Sequence, residues 1–207
     1  MYKAQASNCC EDGQMTINLA SLTPDRVVAS IHELTPALLL AEGIQAIITD
    51  LDNTLVPWRS YDIPPRLTDW LRGLEAAGIR ICIASNTHFP KRLHAVANTL
   101  SLPYVADVKK PEIEGLQRCM AVMGSNVSNT AMFGDQLFTD ILAGNRLGVR
   151  TILLRPGLSN YEFITTKMMR NVETLVIWRQ KQLGQWPQMD GPQLRSPQIA
   201  TAVPHED

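Results

Sequence analysis

Short apolar runs alternate with helical patterns through the middle of the chain. Five runs predict buried strands, and they are Ile44–Thr49, Ile79–Ala84, Tyr104–Ala106, Thr130–Phe133 and Val149–Leu154. Apolar positions three and four apart predict the helices between them, which are Ala37–Glu42, Leu67–Ala77, Arg92–Leu100, a helix ending at Met123, and Ile141–Leu147. This alternation predicts an α/β fold, a doubly wound parallel five-stranded sheet with helices on both faces.

Two further helices are predicted at the ends of this unit. Thr23 and Pro24 have the character of an N-cap and a first helical residue, so we expect a short helix through Ile31. A final helix over Tyr161–Leu183 would cover the sheet with one apolar stripe. The stripe consists of Ile164, Met168, Val172, Leu175, Val176 and Leu183. We interpret 1–20 as an irregular leader, 21–183 as the folded domain and 184–207, rich in Pro, Gln and Ser, as a disordered tail.

Composition is that of a globular protein with one compact domain. The chain has 207 residues, of which 45% are hydrophobic and 19% charged, and its net charge is -1. This balance gives no concentrated basic surface for nucleic acid. No apolar run reaches the length of about 18 residues that a membrane span needs. Four cysteines without a CxxC pair favour a reducing compartment, so we expect a cytoplasmic protein whose membrane contact, if any, is peripheral.

Polar residues cluster directly after the predicted strands. Asp50 and Asp52 follow the first strand, Ser85 the second, Lys110 the third and Asp135 the fourth. Ligands of open α/β sheets bind outside the carboxyl ends of the strands, near the point where the strand order reverses. We therefore expect these side chains to share one rim of the sheet.

The chemistry of this rim suits a phosphate group. Of two carboxylates spaced as Asp50 and Asp52, one could attack while the other handles protons. Crowded carboxylates repel one another, and a Mg²⁺ ion with oxygen ligands relieves that repulsion. Ser85 offers a hydroxyl donor and Lys110 a cation. Taken alone, each residue is an ordinary turn or surface residue; the joint pattern at successive strand ends is what indicates a site.

Four segments resemble the motifs of the haloacid dehalogenase (HAD) superfamily. They are Asp50–Val56 with the sequence DLDNTLV, the pair Ser85-Asn86, the pair Lys110-Pro111, and Gly134–Gly148. More narrowly, the chain is similar to subfamily IIIA phosphatases of the bacterial YqeG type, which are related to the mitochondrial phosphatidylglycerophosphate phosphatases. The resemblance covers roughly 21–180, and Gly134–Gly148 is its most specific part.

This resemblance implies a role for each matching residue. Asp50 would be the nucleophile that forms an aspartyl-phosphate, and Asp52 the general acid/base. Ser85 would bind the transferring phosphoryl group, helped by the backbone of Asn86. Lys110 would neutralise the phosphate and the nucleophile, with Lys109 as its rival for that position.

The resemblance also implies Mg²⁺ as the cofactor. Its ligands would come from Asp50, from Asp52 through the backbone carbonyl, and from Asp135. Asp140, five residues after Asp135, would support the metal from the second layer, through water.

Motif spacing bears on the size of the substrate. Only 35 residues separate Asp50 from Ser85 and 25 separate Ser85 from Lys110, which leaves no room for an inserted cap domain. An uncapped site tolerates a large or membrane-embedded substrate, so the expected partner is a phosphorylated substrate, with a phospholipid head group favoured.

Three functions remain open from the sequence. The first is a phosphatidylglycerophosphate phosphatase of phosphatidylglycerol synthesis. The second is a phosphatase acting on a soluble small phosphate or a phosphoprotein. The third is a non-enzymatic phospho-acceptor module, which the paired aspartates disfavour.

Two features near the site and on the last helix have alternative interpretations. Four basic residues of the last helix either form a solvated face or contact anionic lipid; they are Lys167, Arg170, Arg179 and Lys181. Trp58 either forms the lip of the site or packs against its own loop.

Overall fold

The structure is a computed structural model, and it describes residues 19–87, 89–155 and 164–187, with the side chains of 164–170 left out. Most of the expected leader and tail, 1–18 and 188–207, lies outside the described residues. The same holds for the side chains of Lys167 and Arg170.

A sheet of six parallel strands forms the centre of the molecule. The strands are β1 Arg26–Val28, β2 Ala46–Thr49, β3 Arg80–Ser85, β4 Tyr104–Ala106, β5 Thr130–Gly134 and β6 Arg150–Leu154. They lie side by side in the order β1-β6-β5-β2-β3-β4. The chain leaves β2 toward β3 on one side and leaves β5 toward β6 on the other, so the strand order reverses between β2 and β5. That crevice is where an open sheet of this kind binds its ligand.

Six α-helices of the described chain connect and flank the strands. They are α1 Pro36–Ala41, α2 Pro65–Ala76, α3 Pro90–Leu100, α4 Glu114–Met123, α5 Leu142–Leu147 and α6 Ile164–Gln182. Short 3₁₀ turns occupy Leu19–Leu22, Ile31–Glu33 and Val127–Asn129, and a π-helical turn occupies Leu137–Ile141. Thr35 caps the N-terminus of α1, because its hydroxyl accepts a hydrogen bond from the backbone N–H of Leu38 at 3.2 Å.

Helices cover both faces of the sheet, because alternate residues of each strand point to opposite faces. In β2, Ile47 packs into a core with residues of α1, α2 and α3. Its neighbours Ala46 and Ile48 pack into a second core with α4 and α5. The α/β class and the doubly wound parallel sheet are confirmed, with six strands instead of five.

The helix predicted from Thr23 to Ile31 is wrong, because this segment contains β1. Val27 and Val28 are buried and pair with Leu153 and Leu154 of β6. The carboxylate of Asp25 accepts a hydrogen bond from the backbone N–H of Thr151 at 2.9 Å, which fixes the register. Contacts with a strand far along the chain therefore override the local helix-start pattern, and they add the sixth strand.

The apolar stripe predicted on the last helix is also wrong in part. Val176 is half-buried as expected, but Val172, Leu175 and Leu183 are 47%, 63% and 45% exposed. The inner face instead carries Glu173 and Gln180, which are 1% and 0% exposed. Each side chain makes a hydrogen bond: Oε1 of Glu173 accepts from the N–H of Leu137, and Nε2 of Gln180 donates to the carbonyl of Leu19.

The carboxyl edge of the sheet is open on the described chain. The connection from β2 to β3 holds one loop and α2, and the connection from β3 to β4 holds α3. Residues 50–87 and 89–110 therefore contain no cap domain, as the spacing predicts. Trp186, within the segment expected to be a tail, packs against the cluster around Leu22 and Leu137. None of the described helices has the length and apolarity to cross a membrane.

Candidate active site

Register places the chemically active residues together at the carboxyl edge. Thr49 of β2 lies beside Phe133 of β5, and the backbone N–H of Asp50 donates to the carbonyl of Phe133 at 2.9 Å. Asp50 and Asp135 thus leave neighbouring strands on either side of the crevice. Both side chains are buried.

Lys110 joins two of the predicted carboxylates. Its ammonium donates to Oδ1 of Asp50 at 2.6 Å and to the carbonyl of Ala84 at 2.9 Å, and it lies 2.8 Å from Oδ1 of Asp140. These contacts use the three donors of the ammonium group. Lys110 is buried whereas Lys109 is exposed, so the structure places Lys110 and not its rival in the site.

Burial and charge set the protonation of this pair. Burial raises the pKa of Asp50 to about 7, with Lys110 opposing that rise and Asp140 adding to it. Burial by itself would lower the pKa of Lys110, but the carboxylates of Asp140 and Asp50 outweigh it and raise that pKa. The lysine therefore stays charged, while the proton on Asp50 is easily exchanged near neutral pH.

Asp52 is held by an arginine of α3, Arg92. Nη1 of Arg92 lies 2.8 Å from Oδ1 of Asp52, and the side chain of Arg92 is almost fully buried. Burial raises the pKa of Asp52, and the guanidinium of Arg92 and the backbone N–H of Arg59 limit the rise. A carboxyl with a raised pKa can both deliver and accept a proton, which suits an acid/base.

The same arginine fixes the loop after the first motif. Nε of Arg92 donates to the carbonyl of Ser60 at 2.9 Å, and Nη2 donates to the carbonyl of Pro57 at 3.3 Å. Asn53 adopts a left-handed conformation with φ of 61° and accepts a hydrogen bond from the N–H of Trp58. Asp52 is therefore positioned by a rigid turn at one end and by α3 at the other.

Ser85 and Asn86 end β3 next to Lys110. The Ser85 side chain is buried and accepts a hydrogen bond from the N–H of Thr87 at 3.2 Å. The amide of Asn86 clasps the backbone of Lys110 from both sides, donating to its carbonyl at 3.0 Å and accepting from its N–H at 2.9 Å. The side chain of Asn86 thus positions Lys110. Only the backbone of Asn86 is left as the group that could bind a phosphate.

Asp140 supports the loop that carries Asp135. Its Oδ2 accepts a hydrogen bond from the N–H of Gln136 at 3.1 Å, while Oδ1 faces Lys110. Gly134 permits this approach, because a Cβ there would overlap the Asp140 carboxyl. With both oxygens engaged, Asp140 acts on the site through its neighbours.

The carboxylate ligands at the crevice are of the kind that hold Mg²⁺ in sites that bind phosphate. Within the described residues, no three His, Cys, Asp or Glu side chains converge to hold a metal. Asp52 pairs with Arg92 and Asp140 with Lys110, while the carboxylates of Asp50 and Asp135 lie on the two sides of the crevice, with Oδ1 of Asp50 also in contact with Lys110. Mg²⁺ is commonly bound by one or two carboxylates together with water and substrate phosphate, so this pair is sufficient.

The sequence does not predict the contacts of two residues, Arg92 and Glu173. Arg92 was placed only at the start of a helix, although it falls on the same helical face as the buried Val96, and a charged residue in that position is a signal for a buried ion pair. Glu173 lies inside α6 and accepts from the N–H of Leu137 at 2.7 Å, at the start of the π-helical turn. Only the tertiary contact reveals this role.

Comparisons with known proteins find similar sequences among phosphatases. A family model described as HAD-hydrolase-like matches residues 108–171. Over 165 residues the chain is 36% identical to the probable phosphatase YqeG of Bacillus subtilis, a match spanning 79% of this chain and 95% of that protein. It is 29% identical over 178 residues to the chloroplastic phosphatidylglycerophosphate phosphatase 1 of Chlamydomonas reinhardtii, which covers 82% of this chain and 66% of that protein.

One solved structure of a phosphatase is similar to the chain at lower sequence identity. The 3-deoxy-D-manno-octulosonate 8-phosphate phosphatase of Yersinia pestis is 17% identical, with a TM-score of 0.44 over 70% of this chain and 86% of that chain.

Proposed function

The chain belongs to the HAD-like phosphatases, and from that premise we propose that it is a Mg²⁺-dependent phosphatase of phosphatidylglycerophosphate that works through an aspartyl-phosphate. One observation carries the mechanism: Lys110 holds Asp50 at 2.6 Å, while Arg92 holds Asp52 at 2.8 Å. Each of the two carboxylates thus has its own cation, and the two can take different roles.

In the first step, a carboxylate oxygen of Asp50 attacks the phosphorus atom of the monoester. The P–O bond to the alcohol breaks, and protonated Asp52 gives its proton to the departing oxygen. Lys110 contacts Oδ1 of Asp50, which leaves Oδ2 for the attack. Ser85 and the backbone of Asn86 would bind the phosphoryl oxygens at the end of β3.

In the second step, water attacks the phosphorus atom of the aspartyl-phosphate. Asp52, now ionised, takes a proton from that water, the bond between phosphorus and the Asp50 oxygen breaks, and inorganic phosphate leaves. The raised pKa of Asp52 suits both halves of this cycle. Asp50 and Asp135, with the backbone carbonyl of Asp52, would hold Mg²⁺, which supplies positive charge to the phosphoryl oxygens.

Two observations support a lipid substrate. The described connections around the site carry no cap domain, so a head group attached to a membrane can reach Asp50. One relative is named a phosphatidylglycerophosphate phosphatase. We further propose that the enzyme acts in the cytoplasm, in peripheral contact with the inner face of the membrane.

The outer face of α6 is the best candidate for that contact. It exposes Val172, Leu175 and Trp178, and Trp is a residue typical of membrane interfaces. Of the described charged side chains of α6, only the cations Arg179 and Lys181 are exposed, because Glu173 is buried. Two cations near an anionic surface contribute about 2 kcal/mol, which gives weak and salt-sensitive binding.

Phosphate release from a substrate panel tests the reaction. The panel holds phosphatidylglycerophosphate in vesicles, sugar phosphates, nucleotides and a phosphopeptide, each with and without Mg²⁺. We expect the lipid to have the highest kcat/KM and Asp50→Asn to release no phosphate above background. A soluble phosphate hydrolysed at least as well as the lipid would overturn the substrate assignment, and activity in Asp50→Asn would overturn the nucleophile.

Sedimentation with vesicles tests the membrane contact. We expect the protein to bind anionic vesicles weakly and neutral vesicles not at all, and Trp178→Asp to abolish binding. Val122→Asp is the matched control, because Val122 is an exposed apolar residue on α4. Equal losses in both variants would show that the face of α6 is not the contact.

A further inference from the structure

An open cleft adjoins the catalytic carboxylates on the side of α3. It has a volume of about 450 Å³. Its lining consists of Arg59, Tyr61, Phe89, Pro90, Lys91 and Arg92. Arg92 connects the cleft to the candidate active site, because it lines the cleft and its Nη1 lies 2.8 Å from Oδ1 of Asp52. The backbone N–H of Arg59 also bonds to Asp52, so the cleft begins next to the proposed acid/base.

The cleft carries positive charge that no described residue neutralises through an ion pair. Arg59 and Lys91 are exposed, and neither forms an ion pair with a described residue, whereas Arg92 is paired with Asp52. Among the described residues that line the cleft there is no carboxylate. The nearest acidic residue along the chain, Asp62, accepts a hydrogen bond from the Ser60 hydroxyl at 3.2 Å. An anion entering the cleft therefore meets the cations of Arg59 and Lys91, while the carboxylate next to the cleft, Asp52, is paired with Arg92.

The guanidinium of Arg59 is already held in place. Its central carbon lies 4.6 Å from the ring centre of Trp58 and 4.9 Å from that of Phe89. Stacking on aromatic rings restricts the side chain while its N–H donors remain at the edge of the plane. Because fewer rotamers are lost on binding, a pre-ordered guanidinium binds an anion more tightly than a mobile one.

The same stacking disfavours a nucleobase as the occupant. Bases bind proteins by stacking on aromatic faces. Here the guanidinium lies over the rings of Trp58 and Phe89. Planar fork donors instead match the paired oxygens of a phosphate.

We propose that this cleft binds a second anionic group of the substrate, a phosphodiester or phosphate a few bonds away from the phosphomonoester that Asp50 attacks. The inference rests on the proposed phosphatase reaction and deepens it. Phosphatidylglycerophosphate has this chemistry, because a glycerol bridge joins its phosphomonoester to a phosphodiester. A substrate with one phosphate and no second anion would leave Arg59 and Lys91 unused.

Two soluble probes isolate the second anion from the lipid. Glycerol 1,3-bisphosphate carries it and glycerol 3-phosphate lacks it. We expect the wild-type protein to favour the bisphosphate at least tenfold in kcat/KM. Arg59→Gln and Lys91→Gln should each reduce that ratio about tenfold, as expected when one charge-assisted hydrogen bond is lost.

Arg72→Gln is the matched control. Arg72 is an equally charged, exposed residue on α2, near the opposite edge of the sheet. It should leave the ratio between the two probes unchanged. An equal fall in this variant would mean that overall charge, and not the cleft, sets the preference.

Three results would overturn the inference: equal kcat/KM for the two probes, a preference that survives in both cleft variants, or a stronger preference for a nucleoside monophosphate. Discrimination between the soluble probes with no hydrolysis of the lipid would leave the cleft in place and reject the lipid substrate.

A binding measurement decides the inference even if the wild-type protein releases no phosphate. Calorimetry measures the affinity for glycerol 1,3-bisphosphate of two proteins, Asp50→Asn and the double variant that also carries Arg59→Gln. The difference between the two affinities is the contribution of Arg59 in the cleft. We expect Arg59→Gln to weaken binding about tenfold. Equal affinities would reject the cleft, whereas absent turnover with unequal affinities would reject the phosphatase reaction alone.

Discussion

The protonation of each of two site carboxylates depends on a neighbouring cation. Asp50 is buried against Lys110, and the partly buried Asp52 lies against Arg92. Two carboxylates only two residues apart are thereby put in different electrostatic surroundings. The raised pKa of each follows first from burial and is then moderated by its own cation.

Asp52→Asn should slow hydrolysis of an alkyl phosphate about 10²- to 10⁴-fold, the usual contribution of a positioned acid/base. Hydrolysis of an activated aryl phosphate should lose less, because its leaving group departs without a proton. Steady-state and burst kinetics on both esters measure the difference. Equal losses for both esters would count against the role of acid.

In chelator, the stability of the wild-type protein should depend on pH through Asp50. Its pKa rises from 3.8 to about 7 on folding, so the folded state keeps a proton that the unfolded state releases. Stability from this group is complete below about pH 4 and is lost as pH rises through 7, with a slope of at most about 1.4 kcal/mol per pH unit.

Asp50→Asn serves as the comparison in that experiment, because it lacks this carboxyl. Urea unfolding of both proteins from pH 4 to pH 8 should show wild type losing stability relative to the variant. A constant difference across this range would contradict the raised pKa.

At the scale of elements, two glycines fix how closely the segments around β5 approach one another. Gly134 ends β5 and lies against the carboxyl of Asp140. Gly144 lies in α5 against Thr151 of β6 and Met132 of β5. Both positions would be crowded by a methyl group, but only the first borders the proposed catalytic residues.

Gly134→Ala and Gly144→Ala should each destabilise the protein by about 1–3 kcal/mol, the usual cost of overpacking. Gly134→Ala should also reduce activity per folded molecule, because it displaces Asp140 from Lys110. Gly144→Ala should keep that activity. Chemical denaturation and phosphate release, each corrected for the folded fraction, separate the two effects; a similar loss of activity in both would refute this distinction.

The final helix is tied to the site by a polar contact instead of by the apolar stripe that its sequence suggests. Glu173→Ala should leave the N–H of Leu137 buried without an acceptor and lower the free energy of unfolding by about 1–3 kcal/mol. Glu173→Gln keeps an acceptor oxygen and should lose less. Urea denaturation of the two variants measures this, and equal losses would show that the hydrogen bond is unimportant.

At the scale of the whole molecule, the pairing of β2 with β5 brings Asp50 and Asp135 to the same crevice. These two residues are 85 positions apart in the sequence. Metal binding there should favour the folded protein, because the unfolded chain has no such pair. At a Mg²⁺ concentration of about 100 times Kd, the expected gain is about 2.7 kcal/mol.

Mg²⁺ should accordingly raise the melting temperature by about 5–10 °C, and EDTA should reverse the rise and abolish phosphate release. Asp135→Asn should show a smaller rise, whereas Asp69→Asn, an exposed carboxylate on α2, should match wild type. Differential scanning calorimetry measures all three proteins. Full activity in EDTA would reject the metal requirement.

The sequence by itself determined the α/β class, the central strands and helices, and the strand ends at which the polar residues lie, because local periodicity and turn chemistry act over a few residues. The motifs at those ends also predicted which carboxylates and which lysine to examine. The fold class is confirmed and the family is shown; the roles of the individual residues stay predictions.

Only the tertiary structure decided what depends on distant partners. Thr23–Ile31 has a helix-start pattern, yet Val27 pairs with Leu153 in a sheet, since a long-range ladder outweighs a weak local preference. Arg92 is found beside Asp52, and Glu173 beside Leu137, only because the folded chain joins α3 and α6 to loops far away in sequence. A buried charge is stable only with a partner, and the identity of that partner is a property of the fold.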